Sequence, residues 1–132
     1  ASSALSANTQ FLLNKASVMR ALGELAAAID AYQSATKIND KSVDAFFGLA
    51  ETLFRSGHIK EAEQAVRRAI ELHDGHAESL ALLGQIYSKT DRLTLARDFY
   101  SRAISLSPNV AEWRNAIGAI FFILFIVILI IN

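Results

Sequence analysis

Hydrophobic and polar positions along the chain alternate with the spacing of amphipathic helices, and this pattern recurs every 34 residues between residues 9 and 110. Each repeat has two apolar stripes, one at repeat positions 4, 7, 8 and 11 and the other at positions 20, 24 and 27. Residues three or four apart lie on one face of a helix, so each stripe predicts one short helix. The pattern therefore predicts an all-α chain of three helix pairs, at residues 9–42, 43–76 and 77–110.

The stripe positions are filled by similar residues in all three repeats. The second repeat has Phe46, Leu49, Ala50, Leu53, Ala62, Val66 and Ala69. The third has Leu80, Leu83, Gly84, Tyr87, Ala96, Tyr100 and Ala103. The first has Leu12, Lys15, Ala16, Met19, Ala28, Tyr32 and Ala35, in which Lys15 is the discordant residue. The small residues at positions 8 and 20 predict that the two helices of a repeat approach each other closely.

Helix ends are marked at the same place in every repeat. Gly23 and Gly57 stand where the first helix of a repeat should stop, which predicts a left-handed C-terminal cap. Asp91 takes this position in the third repeat, although a left-handed backbone conformation is less favourable for a residue with a side chain than for glycine. Pro108 marks the end of the last helix pair.

This pattern resembles the tetratricopeptide repeat family, and the resemblance runs without a gap over residues 9–110. The departures are Lys15, the lack of Trp at position 4, and Asp40 and Asp74 where Pro is common; none of them threatens the fold. The resemblance implies an α-solenoid, a right-handed superhelix with a concave groove that binds peptides or partner helices.

In that family the groove is lined by the first helix of each repeat, one step round from the core stripe. This places at the groove the residues Leu13, Ser17, Arg20, Phe47, Glu51, Phe54, Arg55, Ala81, Gln85 and Lys89. Leu13, Phe47 and Phe54 are apolar where solvent is expected, which favours the docking of an amphipathic segment. The alternative is that these side chains only line a tight superhelix.

Chaperone-binding members of the family hold a C-terminal carboxylate with Lys, Asn and Arg side chains. The corresponding positions of this chain carry Leu13, Ser17, Gly48, Glu78 and Leu82. The clamp is absent, and Glu78 would repel a carboxylate. A co-chaperone role of that type is therefore not expected.

The two ends of the chain lie outside the repeats. Residues 1–8 are small and polar and are expected to be flexible. Residues 116–131 have no polar side chain, and a helix that is hydrophobic all round has to be buried on every side. Counted from Trp113 to Asn132, a helix reaches the roughly 30 Å of a hydrocarbon core.

We therefore expect residues 111–132 to start as the first helix of a fourth repeat and to continue as one transmembrane helix. Its spanning residues include Ile117, Phe121, Phe122, Leu124, Phe125 and Ile128. Trp113 and Arg114 would lie at the membrane interface. Arg102 and Arg114 precede the apolar run and no charge follows it, which predicts that the repeats stay on the cytoplasmic side, or the matrix or stromal side of an organelle.

Two alternatives remain for this tail. In the first, the tail is the solvating helix that closes a tetratricopeptide array. In the second, it is a helix buried inside a partner protein. A closing helix needs a polar outer face, which residues 119–131 do not offer.

Composition and motifs also limit which ligands and reactions the chain is expected to support. The 13 basic and 13 acidic residues balance, so no strong field favours nucleic acid. The chain has no cysteine, and His73 and His76 fall in a predicted turn, where their spacing is weak support for a metal site. No catalytic arrangement or phosphate-binding loop can be assembled. We expect no enzyme activity, no metal and no other cofactor.

The sequence thus predicts a membrane-anchored scaffold or adaptor that binds protein partners through the groove, and its tail contacts lipid. The alternative is an accessory or assembly subunit of a larger membrane complex, with the C-terminal helix packed among the transmembrane helices of that complex.

Overall fold

The computed structural model describes residues 2–132, and this part of the chain is all-α, as predicted. Its seven helices are α1 (Ser2–Ala21), α2 (Leu25–Ile38), α3 (Val43–Arg55), α4 (Ile59–Leu72), α5 (Ala77–Lys89), α6 (Leu93–Leu106) and α7 (Ala111–Ile131). They form two compact units: α1 to α4 in the N-terminal unit, which ends at Asp74, and α5 to α7 in the C-terminal unit, which begins at Gly75.

The core of each helix pair is built from the predicted stripes. All nine residues at repeat positions 20, 24 and 27 are buried, including Tyr32, Val66 and Tyr100. The first helices contribute Leu49, Ala50 and Leu53 from α3 and Leu80, Leu83, Gly84 and Tyr87 from α5. Each large apolar side chain removed from water in this way stabilises the fold by about 1.5–3 kcal/mol. Lys15, the discordant stripe residue, is exposed.

The turn between the two helices of a repeat has the same geometry in all three repeats, and the predicted left-handed caps are confirmed. The φ angles are 82° at Gly23, 85° at Gly57 and 61° at Asp91. In each case the next residue donates its N–H to a carbonyl five residues back: Glu24 to Met19 at 2.8 Å, His58 to Leu53 at 2.9 Å and Arg92 to Tyr87 at 2.9 Å. These bonds satisfy carbonyl groups that the helix end would otherwise leave without a partner.

The structure differs from the expectation at the N-terminus. Helix α1 begins at Ser2, so residues 2–8, predicted to be flexible, are helical; Ala1 lies outside the described residues. No Gly or Pro precedes Gly23, so no helix breaker separates these residues from the first repeat. The hydroxyl of Thr9 also donates to the carbonyl of Leu5 at 2.8 Å, which ties these residues to the next turn.

Helix α7 is continuous, but its N-terminal part is packed against another helix and its C-terminal part is exposed. Its first half packs against α6, with Ile120 only 3% exposed and Trp113, Ile117 and Leu124 half-buried. From Phe125 onward every residue is exposed. The most apolar 18-residue window of α7 has a mean hydropathy of 2.6 and is 6% buried. By length and composition, α7 is the helix among residues 2–132 that is able to cross a membrane.

Candidate interaction surface

The predicted groove residues of the N-terminal unit form two parallel stripes. Leu13, Ser17 and Arg20 share one face of α1, and Phe47, Glu51 and Phe54 share one face of α3, because both sets are spaced by four and three residues. The two helices are in contact. We call these six residues together with Arg55 the α1–α3 surface.

An ion pair joins the two stripes. Arg20 of α1 donates a hydrogen bond from Nη1 to Oε1 of Glu51 on α3. The Arg20 side chain is 23% exposed and that of Glu51 is 38% exposed, so the pair is partly shielded from water. A pair with this exposure contributes up to about 1 kcal/mol to the contact between the two helices.

Tyr32 of α2 forms the floor beneath this ion pair. The guanidinium carbon of Arg20 lies 5.9 Å from the centre of the Tyr32 ring, within the range of a cation–π contact. Burial raises the pKa of Tyr32, the Arg20 charge opposes this shift, and the Glu51 charge adds to it. The same ring covers Gly48 of α3, where a Cβ atom would overlap it.

Sequence reasoning placed Tyr32 only in the core and missed its position under the surface. The signal for it was Gly48, a glycine in the middle of an α-helix, where glycine costs stability unless another group needs the space.

The apolar members of the surface are only partly covered. Leu13, Phe47 and Phe54 are half-buried, whereas Ser17 and Arg55 are exposed. Phe47 and Phe54 lie on either side of Glu51 along α3, about one helical turn from it. The surface therefore has a charged centre flanked by aromatic rings.

The predicted groove residues of the C-terminal unit differ in character. Ala81 of α5 is buried, with 5% of its surface exposed, so it offers almost no area to a ligand. Gln85 and Lys89 are exposed. The equivalent face of α5 is therefore polar and carries no aromatic ring.

His76, in the turn between the second and third repeats, has a local structural role. His76 is the N-cap of α5, where its Nδ1 accepts a hydrogen bond from the N–H of Ser79 at 3.3 Å and lies 2.6 Å from the Ser79 hydroxyl. A side-chain acceptor at this place satisfies one of the free N–H groups of the helix start. Within residues 2–132, no group of three His, Cys, Asp or Glu residues is placed to hold a metal ion.

Comparisons with known proteins agree with this architecture. Anaphase-promoting complex subunit 3 of Schizosaccharomyces pombe is 26% identical over 87 residues, which make up 64% of this chain and 13% of that much longer protein. The first TPR of Spaghetti (RPAP3) bound to the HSP90 peptide SRMEEVD superimposes with a TM-score of 0.88 at 23% identity, covering 90% of this chain and 94% of that one.

The second TPR domain of human RPAP3, in complex with the HSP70 peptide SGPTIEEVD, gives a TM-score of 0.83 at 16% identity, covering 88% of this chain and 97% of that one. At these identities the likeness establishes the fold, an α-solenoid of helix pairs. Models of the tetratricopeptide repeat match residues 19–86 and residues 77–110. The chain belongs to the tetratricopeptide repeat family.

Proposed function

We propose that the protein is a membrane-anchored scaffold that binds a protein partner on the α1–α3 surface. The observation that carries the proposal is the pair of half-buried rings, Phe47 and Phe54, set around the ion pair of Arg20 and Glu51. Aromatic side chains and arginine contribute most of the binding energy in protein interfaces. This surface therefore suits an amphipathic segment with an apolar side and a few polar groups.

The partner is not expected to be a C-terminal peptide of the chaperone type. The two structural neighbours hold peptides that end in EEVD. In this chain two positions of the carboxylate clamp are Leu13 and Glu78, and a third, Leu82, is buried. No cation replaces the clamp at these positions, so an acidic C-terminus would meet an apolar residue and a like charge.

The anchor in this proposal is α7. Its apolar residues after Ile120 are almost all exposed, and an exposed patch of this size is not stable in water. The eleven residues from Phe121 to Ile131 are all Ile, Leu, Phe or Val, and together they favour insertion by on the order of 5 kcal/mol. Arg102 and Arg114 lie just before this run, and positive charge beside a membrane span favours the cytoplasmic, matrix or stromal side for the repeats.

Placing a charge on the α1–α3 surface tests whether the partner binds there. Phe54→Lys should weaken capture of the partner from mild-detergent extracts at least tenfold, because it buries a cation against an apolar partner. Gln85→Lys, at an exposed position of α5, is the matched control and should leave capture unchanged. Circular dichroism should give the same helix content for both. If Phe54→Lys captures the partner as well as the wild type does, the α1–α3 surface is not the binding site.

The anchor is tested by placing a charge in the tail. Phe125→Arg should cost roughly 2.5–3.5 kcal/mol of insertion free energy and release much of the protein from membranes washed with alkaline carbonate. Leu106→Arg, at an exposed apolar residue of α6, is the control and should remain bound. If the wild type washes off, or the Phe125→Arg protein stays as firmly bound, α7 is not a membrane anchor.

The pull-down also distinguishes the accessory-subunit alternative. A partner that is retained by Phe54→Lys and lost with Phe125→Arg would be held by α7 and not by the groove.

A further inference from the structure

The three helices of the C-terminal unit alternate in direction, because short connections join them: three residues between α5 and α6 and four between α6 and α7. Helix α6 packs on both α5 and α7. Its 14 residues give it a length of about 21 Å. The residues of α7 from Ala111 to Leu124 cover the same length in the opposite direction, so Leu124 lies level with the start of α6.

Burial along α7 ends at this same level. One stripe of α7 packs on α6 as far as Leu124, and every residue from Phe125 onward is exposed. The exposed apolar part of α7 therefore leaves the unit beside the turn between α5 and α6. We call residues 89–95, which hold this turn and the first residues of α6, the exit end of the C-terminal unit.

We propose that the exit end contacts the phosphate layer of the membrane, so that the repeat domain itself binds lipid headgroups. This rests on the proposed function, in which the exposed part of α7 lies in lipid. An unbroken helix enters lipid where it leaves the unit, so the exit end is the part of the unit that faces the bilayer. Trp113, expected at the interface from the sequence, lies about 16 Å back along α7 from Leu124.

The charge of the exit end suits phosphate. Lys89 is exposed at the end of α5. Arg92 is held in place, because its Nε donates a hydrogen bond to the hydroxyl of Thr90 at 3.0 Å and its guanidinium carbon lies 4.5 Å from the centre of the Tyr87 ring. Asp91 is the single acidic residue of the exit end, so positive charge is in excess there. Lysine and arginine near a membrane surface are attracted to anionic headgroups.

The opposite end of the unit has no such excess. There the carboxylates of Glu78 and Glu112, in the first turns of α5 and α7, are matched in number by Arg102 and Arg114. Charge therefore favours the same orientation towards the bilayer as the position of α7 does.

Leu95 adds an apolar contact to the exit end. It stands in the first turn of α6 and is 41% exposed. Side chains of a helix lean towards its N-terminus, so Leu95 leans towards the bilayer in this arrangement. A leucine beside cationic side chains suits the boundary between headgroups and acyl chains. Leu106 is the matched residue, because it is 52% exposed and lies about 16 Å away at the other end of α6.

The test uses single cysteines, since the chain has none of its own. A fluorophore is attached to Leu95→Cys, Leu106→Cys or Ile128→Cys, and the full chain is reconstituted in vesicles of phosphatidylcholine and phosphatidylglycerol. A nitroxide quencher is placed on the headgroup or deep in the acyl chain. The headgroup nitroxide should quench position 95 on the order of threefold more than position 106, given their separation of about 16 Å. The acyl-chain nitroxide should quench position 128.

The three positions distinguish this proposal from the anchor. If position 128 is quenched but position 95 is quenched no more than position 106, the exit end does not contact the membrane, while α7 remains the anchor. If position 128 is not quenched, α7 does not enter lipid, and the proposed function and this proposal both fail.

A charge reversal tests the recognition of phosphate. In the Leu95→Cys chain, Lys89→Glu should reduce the contact, read as quenching at position 95, on the order of fivefold in vesicles that contain phosphatidylglycerol. Arg114→Glu reverses the same charge at the opposite end and should leave this quenching unchanged. If Lys89→Glu does not reduce the quenching, or Arg114→Glu reduces it equally, the exit end does not recognise headgroup phosphate.

Discussion

The phenol ring of Tyr32 lies over the bare backbone of Gly48, so that the first repeat meets the second through an aromatic ring and a glycine. A Cβ atom at position 48 would overlap the ring. Because Tyr32 is only 4% exposed and Arg20 lies over its ring, the side chain has little room to move away.

Gly48→Ala is therefore expected to lower the free energy of unfolding. Overpacking costs about 1–3 kcal/mol, which exceeds the roughly 0.5–1 kcal/mol that alanine gains over glycine in a helix. Chemical denaturation followed by circular dichroism in detergent measures the change. Gly118→Ala is the control, since no atom lies within 4 Å of its Cβ position, and it should be neutral or slightly stabilising. Equal effects of the two substitutions would mean that the ring moves aside without cost.

The ion pair between Arg20 and Glu51 should be weakly stabilising. A double-mutant cycle of Arg20→Ala and Glu51→Ala is expected to give a coupling energy of about 0.2–1 kcal/mol at low salt, because both side chains keep partial contact with water. The coupling should decrease as salt is added. A coupling that is zero at low salt would show that the pair does not hold α1 and α3 together.

Alkaline pH should destabilise the C-terminal unit through Tyr100. Burial raises the pKa of Tyr100 to about 12 from its ordinary 10, and the nearby Glu112 charge adds to the shift. The unfolded chain loses this proton near pH 10 and the folded chain only near pH 12. The stabilisation is thus complete below pH 10 and is lost as the pH rises to 12, a change of about 2–3 kcal/mol.

The measurement is the free energy of unfolding between pH 9 and pH 12 in the wild type and in Tyr100→Phe, which has no proton to lose. The variant should keep the pH dependence that comes from Tyr32, whose pKa is also raised by burial, and lose the part that comes from Tyr100. Identical slopes in the two proteins would contradict the assignment to Tyr100.

Two truncations should separate the packed half of α7 from its exposed half. Residues 1–124 keep Ile120 and Leu124, so the unfolding midpoint should match that of the full chain while membrane association is lost. Residues 1–115 lose the contacts of Ile120 and should be less stable by about 2–5 kcal/mol. If both truncated chains have the same stability, the packing of α7 on α6 contributes nothing to the fold.

Much of the fold was predictable because each helix pair is determined by the spacing of residues that are close together in the sequence. The alanines at positions 20 and 27 and the turn residues Gly23, Gly57 and Asp91 each act within one helix pair, so their roles can be read from sequence neighbours. The ring of Tyr32 over Gly48 was not predicted, because that contact joins one repeat to the next and depends on how the second helix turns its side chain.

The candidate surface was predicted less completely. Repeat position 5 carries Phe47 in α3 and Ala81 in α5, and only the structure reports that the alanine is buried while the phenylalanine is half-buried. The helical start at Ser2 was missed because serine and asparagine favour turns and caps, and this preference was given more weight than the helix preference of the alanines and leucine between them. The exposure of Phe11 and Val18 on α1 was not predicted, because a pattern reveals that these residues are apolar but not whether another helix packs on them.

The continuity of α7 has a mechanical consequence. One unbroken rod of backbone hydrogen bonds connects Trp113, which packs in the C-terminal unit, with Ile131 at the far end of the apolar run. A rod of this kind has no hinge, so a tilt or rotation applied at one end is transmitted to the other. If α7 is held in a bilayer, α5 and α6 lose most of their freedom to tumble, and their orientation relative to the membrane plane is set by the tilt of a single helix.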